Sequence, residues 1–162
     1  MHQGNSASRQ WSTWVATIGL VALVTACQFD PYTLSYAKVK PDLKEIVGSW
    51  VATDDTLQQL SRTPYSKARP TISVTADGSI QMADIPDAWR DPFGAGKGSL
   101  EAFMGTWKLD KHQDSWWGLA IQRGEWGCSG CLMILGQRPP YRLIIRVGDP
   151  DHGIGYEFRK AD

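Results

Sequence analysis

The sequence predicts an all-β fold: an antiparallel, up-and-down barrel of about eight strands that follow one another in chain order. From Val47 onward, apolar residues alternate with polar ones, as in strands that bury one face. Turn-forming residues interrupt this alternation at short intervals. Each neighbouring pair of predicted strands also agrees on which face is apolar, so the strands can close into a barrel that leaves no exposed edge.

The N-terminal segment, residues 1–26, is predicted to be a signal peptide that is not part of the fold. Its apolar run from Trp11 to Ala26 is sixteen residues long, whereas a helix needs about 20 to cross a bilayer. Val24-Thr25-Ala26-Cys27 closes this run and resembles the lipobox of bacterial lipoproteins. The resemblance implies that Cys27 becomes the acylated N-terminus of the mature protein, for example with palmitate. An ordinary signal peptide or a short membrane anchor is the alternative.

The residue after the lipobox cysteine implies a location. In lipoproteins a residue other than Asp at this position is typical of the outer membrane, and the chain has Gln28 there. The resemblance therefore implies a bacterial envelope protein, anchored by its lipid and facing the periplasm. Residues 27–42 contain two prolines and show no sustained period. We interpret them as a tether to a barrel domain over residues 43–162.

The balance of acidic and basic side chains bears on the class of partner. Removing residues 1–26 takes away one of the 17 basic side chains and none of the 17 acidic ones. A chain so balanced gives no reason to expect nucleic acid or another strongly charged partner.

The first hairpins can be placed residue by residue. Val47–Thr53 is the predicted opening strand, and Thr56–Arg62 is a candidate short helix after it. In "TISVTADGSIQM" a two-residue Asp-Gly turn would put the apolar residues of the two strands on opposite faces. A three-residue loop, residues 76–78, instead pairs Val74 with Ile80 and Ile72 with Met82.

The later strands follow from the same test. The long segment Ile85–Met104 is predicted to be irregular, and a loop of that length is often functional. The next two strands are expected to pair Trp107 with Leu119 and Leu109 with Trp117. The strand after them should pair Leu119 with Ile134 and Ile121 with Leu132. Across the last two turns, Ile134 and Leu132 should face Leu143 and Ile145, and Leu143, Ile145 and Val147 should face Phe158, Tyr156 and Ile154.

Gly48-Ser49-Trp50, at the start of the first strand, resembles the Gly-x-Trp motif that opens lipocalin and avidin-like barrels. The resemblance implies that Trp50 closes one end of the barrel and packs beneath an arginine near the last strand, for which Arg159 is the candidate. The overall look is that of a small lipocalin-like bacterial lipoprotein. This is an analogy of fold and assigns no function.

Cys128 and Cys131 form a Cys-x-x-Cys motif. Such a pair serves redox chemistry in a thioredoxin-like context, or binds metal where more Cys or His lie nearby. Neither context is predicted here, because the motif falls in a hairpin connection and the nearest candidates, His112 and His152, lie on two different turns. With Cys27 acylated, the two cysteines are an even pair in an oxidising compartment. We predict a structural disulfide, with redox chemistry and metal binding as weaker alternatives.

Two other motifs suggest chemistry only superficially. "GAGKGS" lacks the first glycine of a phosphate loop, since position 91 is Asp. "GDPDHG" brings Asp149, Asp151 and His152 together, but its proline and flanking glycines favour a plain turn. The sequence shows no Ser/His/Asp set, no pair of carboxylates at buried positions and no cofactor fingerprint. We therefore predict a protein that is not an enzyme and carries no cofactor or metal.

Three of the tryptophans, Trp89, Trp116 and Trp126, fall in or beside predicted loops. If these loops share one mouth of the barrel, their indoles could line the entrance for a small apolar or amphipathic ligand. The alternative is that the barrel is filled and acts through its loops on an envelope protein partner. Large inward residues such as Trp107, Trp117 and Phe158 favour the filled barrel. A lumen approaching the ~300 Å³ lower end of ligand pockets would favour binding.

Overall fold

The computed structural model describes residues 31–90, 96–112, 114–149 and 153–161. Within them eight strands form a closed, antiparallel barrel in which each strand pairs with the next and the last pairs with the first. This confirms the predicted fold class. The strands are β1 (Gly48–Ala52), β2 (Thr71–Val74), β3 (Ser79–Pro86), β4 (Leu100–His112), β5 (Trp116–Arg123), β6 (Trp126–Leu135), β7 (Arg142–Arg146) and β8 (Gly155–Lys160). The helices are α1 (Leu43–Ile46), α2 (Asp54–Ser61) and a 3-10 helix (Asp87–Arg90).

The predicted signal peptide and Cys27 lie outside the described residues, as do Asp151 and His152. Among the helices that the structure describes, none is long and apolar enough to span a membrane.

The hairpin of β2 and β3 has the predicted register. Val74 lies opposite Ile80, and Ile72 lies opposite Met82. All four side chains are at most 2% exposed, because the three-residue loop puts both apolar sets on the inner face. The register of β6, β7 and β8 is also confirmed: Leu143 and Ile145 lie opposite Ile134 and Leu132 on one side, and opposite Phe158 and Tyr156 on the other.

The register of β4, β5 and β6 differs from the prediction. Trp107 lies opposite Ile121, and Leu109 lies opposite Leu119, which is a shift of two residues. An even shift keeps every side chain on its predicted face, so the apolar pattern could not distinguish the two registers. Between β5 and β6 the pairing jumps from Leu119–Leu132 to Ile121–Cys128, because β6 carries a bulge at this point. The predicted regular pairing of Leu119 with Ile134 is therefore wrong.

The barrel interior is filled with apolar side chains. An open lumen would leave the residues around it in contact with water, but most inward-facing residues of the described strands are almost completely buried. Trp107, Leu109 and Trp117 are partly buried and pack against them. Those at most 2% exposed include Trp50, Ile72, Val74, Ile80, Met82, Leu119, Ile121, Leu132, Ile134, Leu143, Ile145 and Phe158. Close packing of this kind leaves no room for a ligand among them.

Residues 31–42, the described part of the predicted tether, are packed on the barrel wall; we call them the N-terminal strap. Tyr36 is 1% exposed and forms an isolated β-bridge with Leu135. The Ala37 amide donates to the Ile134 carbonyl at 2.8 Å. On the outer face of β6 and β7, Tyr36 joins a second apolar cluster with Met133, Leu135 and Ile144. The strap therefore belongs to the folded unit.

The two predicted irregular regions contain regular elements. The helix expected at Thr56–Arg62 is α2, which begins two residues earlier because the Thr53 side chain accepts a hydrogen bond from the Thr56 amide. The segment Ile85–Met104, expected to be a loop, contains the end of β3, the 3-10 helix and the start of β4.

Candidate functional site

The barrel has two ends, which differ in their side chains. The Trp50 end carries α1 and the β2–β3, β4–β5 and β6–β7 connections. The Trp126 end carries α2, the 3-10 helix and the β5–β6 and β7–β8 connections. This division follows from the up-and-down topology, which places alternate connections at opposite ends.

Trp50 lies inside the barrel at the end named after it and is 1% exposed. Its Nε1 donates a hydrogen bond of 2.9 Å to the Ile46 carbonyl at the end of α1. The Nζ atom of Lys160 lies 6.0 Å from the centre of a Trp50 ring. The same Nζ donates to the carbonyls of Lys44 and Glu45, at 3.0 and 3.2 Å. Together, Trp50 and Lys160 bind the orphan carbonyls of α1 and hold this short helix against the end of the barrel.

The cation over Trp50 is therefore Lys160, and not Arg159 as predicted. In the register of β1 and β8, Lys160 lies opposite Trp50, whereas Arg159 lies opposite Val51 and is exposed on the outer face. The sequence contained a signal for this: Phe158 is an inward residue, and alternation puts Lys160 on the same face. The lipocalin resemblance pointed to the arginine, one residue away and on the opposite face.

Two of the three predicted mouth tryptophans meet at the other end. The rings of Trp89 and Trp126 lie 6.1 Å apart and nearly perpendicular. Trp126 also packs edge-on against Phe103 at 5.6 Å. Trp89 is 9% exposed and Trp126 is 39% exposed, so only one indole of this cluster presents a substantial surface to solvent. The Trp89 Nε1 donates to the Glu101 carboxylate at 3.2 Å.

Trp116 is not part of that cluster. It packs against Tyr36, with ring centres 5.3 Å apart, beneath the N-terminal strap on the outer wall. The prediction that all three indoles share one mouth is therefore wrong for Trp116. Its position depends on a strap that the sequence suggested was a free tether.

A hydrogen-bond network at the Trp126 end was missed by sequence reasoning. The Asp87 carboxylate accepts from the Tyr65 hydroxyl, from the Ser99 hydroxyl at 2.7 Å and from the Lys97 amide at 2.9 Å. The Tyr65 hydroxyl accepts in turn from the Gly98 amide at 3.3 Å. The hydrogen bond from Tyr65, followed by those from Ser99 and Lys97, lowers the pKa of Asp87 to about 2, against an opposing desolvation effect. The carboxylate thus ties residues 97–99 to the rest of this end.

Tyr156 is a titratable residue in the core of the described barrel. Burial raises the pKa of Tyr156 to about 12, because the phenolate would lose its hydration among apolar side chains. Tyr156 is therefore neutral at physiological pH and acts as a packing residue.

Cys128 and Cys131 form the predicted disulfide. The pair lies inside β6 and not in a hairpin connection as expected, because β6 extends from Trp126 to Leu135. Its ring encloses Ser129 and Gly130, the residues of the β-bulge. A Cβ atom at Gly130, whose φ is +80°, would lie 2.6 Å from the His112 ring. The Ser129 hydroxyl donates to Asp110 at 2.9 Å, so that the bulge is fixed on both sides.

Clefts of about 260 to 340 Å³ lie on the surface of the described residues. One of about 260 Å³ lies beside the bulge, between the disulfide, Trp89, His112 and Arg146. Another of about 270 Å³ lies over Ala120 on the outer wall of β4–β6. A third, of about 340 Å³, lies over β1–β3 and is lined in part by the outward side chains Ser49 and Thr71. The two wall clefts are lined mainly by outward-facing residues of the strands.

The described residues contain no group of three or more His, Cys, Asp or Glu that could hold a metal ion. Of the "GDPDHG" turn, Asp149 is described, and Asp151 and His152 are not. Of "GAGKGS", residues 97–99 belong to the Asp87 network described above.

Comparison of the chain with protein-family models, with curated proteins and with solved structures returns no match. The class of this protein is therefore described from its own structure. It is a small, closed, eight-stranded barrel with a filled interior, with Trp50 closing one end and an aromatic cluster at the other.

Proposed function

We propose that this protein is a lipid-anchored, lipocalin-like protein of the bacterial envelope that acts by contacting another protein through its loops. The observation that carries this proposal is the filled interior. Ligand-binding barrels enclose most of the ligand surface in a cavity of roughly 300 Å³ or more. Here the space that such a cavity needs is taken by inward side chains such as Ile72, Leu119 and Phe158, which are at most 1% exposed.

The loops are what such a barrel can offer to a partner. The wall is partly covered by the N-terminal strap, which buries Met133 and Ile144. The connections at both ends are held in place by specific contacts: the β2–β3 turn by Asp77, which accepts from the Ser79 amide at 2.9 Å, and residues 97–99 by Asp87. Ordered loops bind with less entropic cost than mobile ones.

Two features support export and anchoring. The sequence has a signal-length apolar run that ends in Val-Thr-Ala-Cys27. Independently of that motif, Cys128 and Cys131 form a disulfide, and structural disulfides are typical of oxidising compartments such as the bacterial periplasm. The disulfide would be unusual in the cytosol, so it favours the same location as the lipobox.

A second candidate function is binding of a small apolar or amphipathic ligand at the Trp126 end. The observation in its favour is the cluster of Trp89, Trp126 and Phe103, with Trp126 39% exposed. Trp126 alone presents a substantial surface, since Trp89 and Phe103 are at most 9% exposed, so this cluster covers little of a ligand. The first function is therefore favoured.

The two functions are separated by a pair of measurements on the full chain. Titration with a fluorescent fatty acid should show no saturable, one-to-one binding if the barrel is filled. A photo-crosslinking amino acid at Arg138, exposed in the β6–β7 connection, should give one discrete protein adduct in intact cells. The matched control is the same label at Lys108, which is exposed on the outer wall and should give none.

Two results together would favour ligand binding over protein contact. Fatty-acid binding would be saturable and lost in Trp126→Ala, and crosslinkers in the loops at either end would give no adducts. Adducts of equal intensity from Arg138 and Lys108 would show that the contacts are not specific to the loops.

A further inference from the structure

The N-terminal strap leaves the barrel at a defined place. Pro31, the first described residue, packs on Gly153 so closely that a Cβ atom at Gly153 would lie 2.8 Å from the proline Cγ. The Tyr32 hydroxyl donates to the Gly153 carbonyl at 3.3 Å. Gly153 belongs to the β7–β8 connection, which lies at the Trp126 end. The chain upstream of the fold therefore starts from this end.

The distance to the proposed lipid is short. Cys27 precedes Pro31 by four residues, and four residues span at most about 14 Å when fully extended. β7, the five-residue strand beside the strap, is about 17 Å long, and about 13 Å high after the usual tilt in a barrel. A lipid on Cys27 can therefore bring a bilayer to the Trp126 end, next to which the described chain begins. To reach the Trp50 end, the four residues would have to run almost fully extended along the wall.

Exposed apolar side chains are found at the end that the lipid can reach. Leu100 is 44% exposed, Trp126 39% and Ile154 43%. Leu100 is the first residue of β4, Trp126 is the first residue of β6, and Ile154 directly precedes β8. They therefore lie at the β3–β4, β5–β6 and β7–β8 connections, which are all at the Trp126 end. Tryptophan is enriched where proteins meet the headgroup region of a bilayer, because its ring is apolar and its N–H is polar.

Exposure alone does not choose between the ends. Val39 and Leu43, which precede β1 on the strap and α1, are 67% and 58% exposed. The contact of Pro31 and Tyr32 with Gly153 makes the distinction, because it places the start of the described chain next to the Trp126 end.

We infer that the Trp126 end rests on the membrane that holds the acylated Cys27, with Leu100, Trp126 and Ile154 in the headgroup region, and that the Trp50 end faces away from it. This inference rests on the acylation of Cys27 in the proposed function. The apolar contact adds to the affinity that the lipid on Cys27 gives for the membrane. The connections at the Trp50 end are then the ones presented to a protein partner.

The test uses the processed protein, which begins at the acylated Cys27, in phosphatidylcholine vesicles whose acyl chains carry bromine, a short-range fluorescence quencher. An environment-sensitive fluorophore is attached to Glu125→Cys, at the exposed tip beside Trp126, or to Arg138→Cys, at the exposed tip of the opposite end. Cys27, when acylated, and the disulfide-bonded cysteines do not take the label. We expect loss of emission from the Glu125 label and none from the Arg138 label.

A second pair of variants tests the side chains. Replacing Leu100, Trp126 and Ile154 by serine should reduce the quenching of the Glu125 label. Replacing Val39 and Leu43 by serine, the matched control, should leave it unchanged.

The outcomes distinguish the inference from the proposal beneath it. If mass spectrometry finds Cys27 without a lipid, both are overturned. If acylated protein floats with the vesicles but the Glu125 label is not quenched, the inference alone is overturned and the Trp126 end is free for a protein. Quenching of the Arg138 label, or full quenching in the triple serine variant, also overturns it.

Discussion

The Nζ atom of Lys160 lies 6.0 Å from the ring centre of Trp50. Lys160 also pairs with Trp50 in the β-sheet, across the seam between the first and last strands. This seam is where the barrel closes. The two side chains also bind the carbonyls of α1, Trp50 through Ile46 and Lys160 through Lys44 and Glu45. One contact thus joins the first strand, the last strand and the helix that covers the end.

Replacing Trp50 should unfold the protein more readily than replacing Trp126. Trp50 is 1% exposed and Trp126 is 39% exposed, and truncating a buried aromatic side chain costs about 3–5 kcal/mol. Urea unfolding of Trp50→Ala and Trp126→Ala should therefore show a far larger loss for the former. Trp89, which the sequence placed on a loop, is unsuitable as the control because it is 9% exposed. Equal, small losses would mean that Trp50 does not close the barrel.

Lys160 and Arg159 should differ in their contribution to stability. Lys160→Met removes the cation over Trp50 and two hydrogen bonds to α1, so we expect a loss of about 1–2 kcal/mol. Arg159→Met should lower the free energy of unfolding by less than Lys160→Met does, because Arg159 lies opposite Val51 on the outer face and not over Trp50. The same denaturant titrations measure both. A larger effect at Arg159 would contradict the assignment of Lys160.

Asp87 should make the protein sensitive to acid. Its folded-state pKa is lowered to about 2, below the ~3.9 of an unfolded aspartate. The stability that it contributes is therefore fully present above about pH 4 and is lost as the pH falls through 4 toward 2. In Asp87→Asn the unfolding midpoint should therefore decrease less between about pH 4 and about pH 2 than in the unmodified protein. Glu125→Gln, at an exposed turn, should leave this decrease unchanged. An unchanged acid profile in Asp87→Asn would contradict the network.

Reduction of the disulfide should leave the fold intact. The ring between Cys128 and Cys131 spans a sequence separation of three, and so small a ring should stabilise by less than the ~3 kcal/mol of a 15-residue loop. The far-ultraviolet circular dichroism of the Cys128→Ser, Cys131→Ser double variant should match that of the unmodified protein. In freshly isolated protein a free-thiol assay should detect neither sulfur, and two reactive thiols there would contradict the disulfide.

Cys27 should be the first residue of the mature protein and should carry the lipid. The reason is the short apolar run that ends in Val-Thr-Ala-Cys27. Mass spectrometry should find no residue before Cys27 and an acyl mass on it. If Cys27→Ser yields a membrane-anchored product that is processed in the same way, the anchor is not a lipid on this cysteine.

Much of the fold could be predicted because strands repeat every two residues. Burial of one face determines which residues point inward, and this was sufficient to place Ile72, Val74, Ile80 and Met82 and the order of the strands. Registers that differ by two residues satisfy the same pattern, so the pairing of Trp107 with Ile121 could not be chosen in advance. The choice depends on hairpin geometry and on the bulge at Cys128–Cys131.

The sequence by itself therefore determined the inner and outer faces, the up-and-down order, the presence of a disulfide and an N-terminal segment typical of a lipid anchor. Only the tertiary structure decided that Trp116 lies beneath the strap, that Trp89 meets Trp126, that Lys160 covers Trp50 and that Asp87 ties together residues from separate loops. The physical reason is that period and turn chemistry are local properties of the chain. These contacts join residues far apart in sequence, and they form only when closure of the barrel brings its connections to common ends.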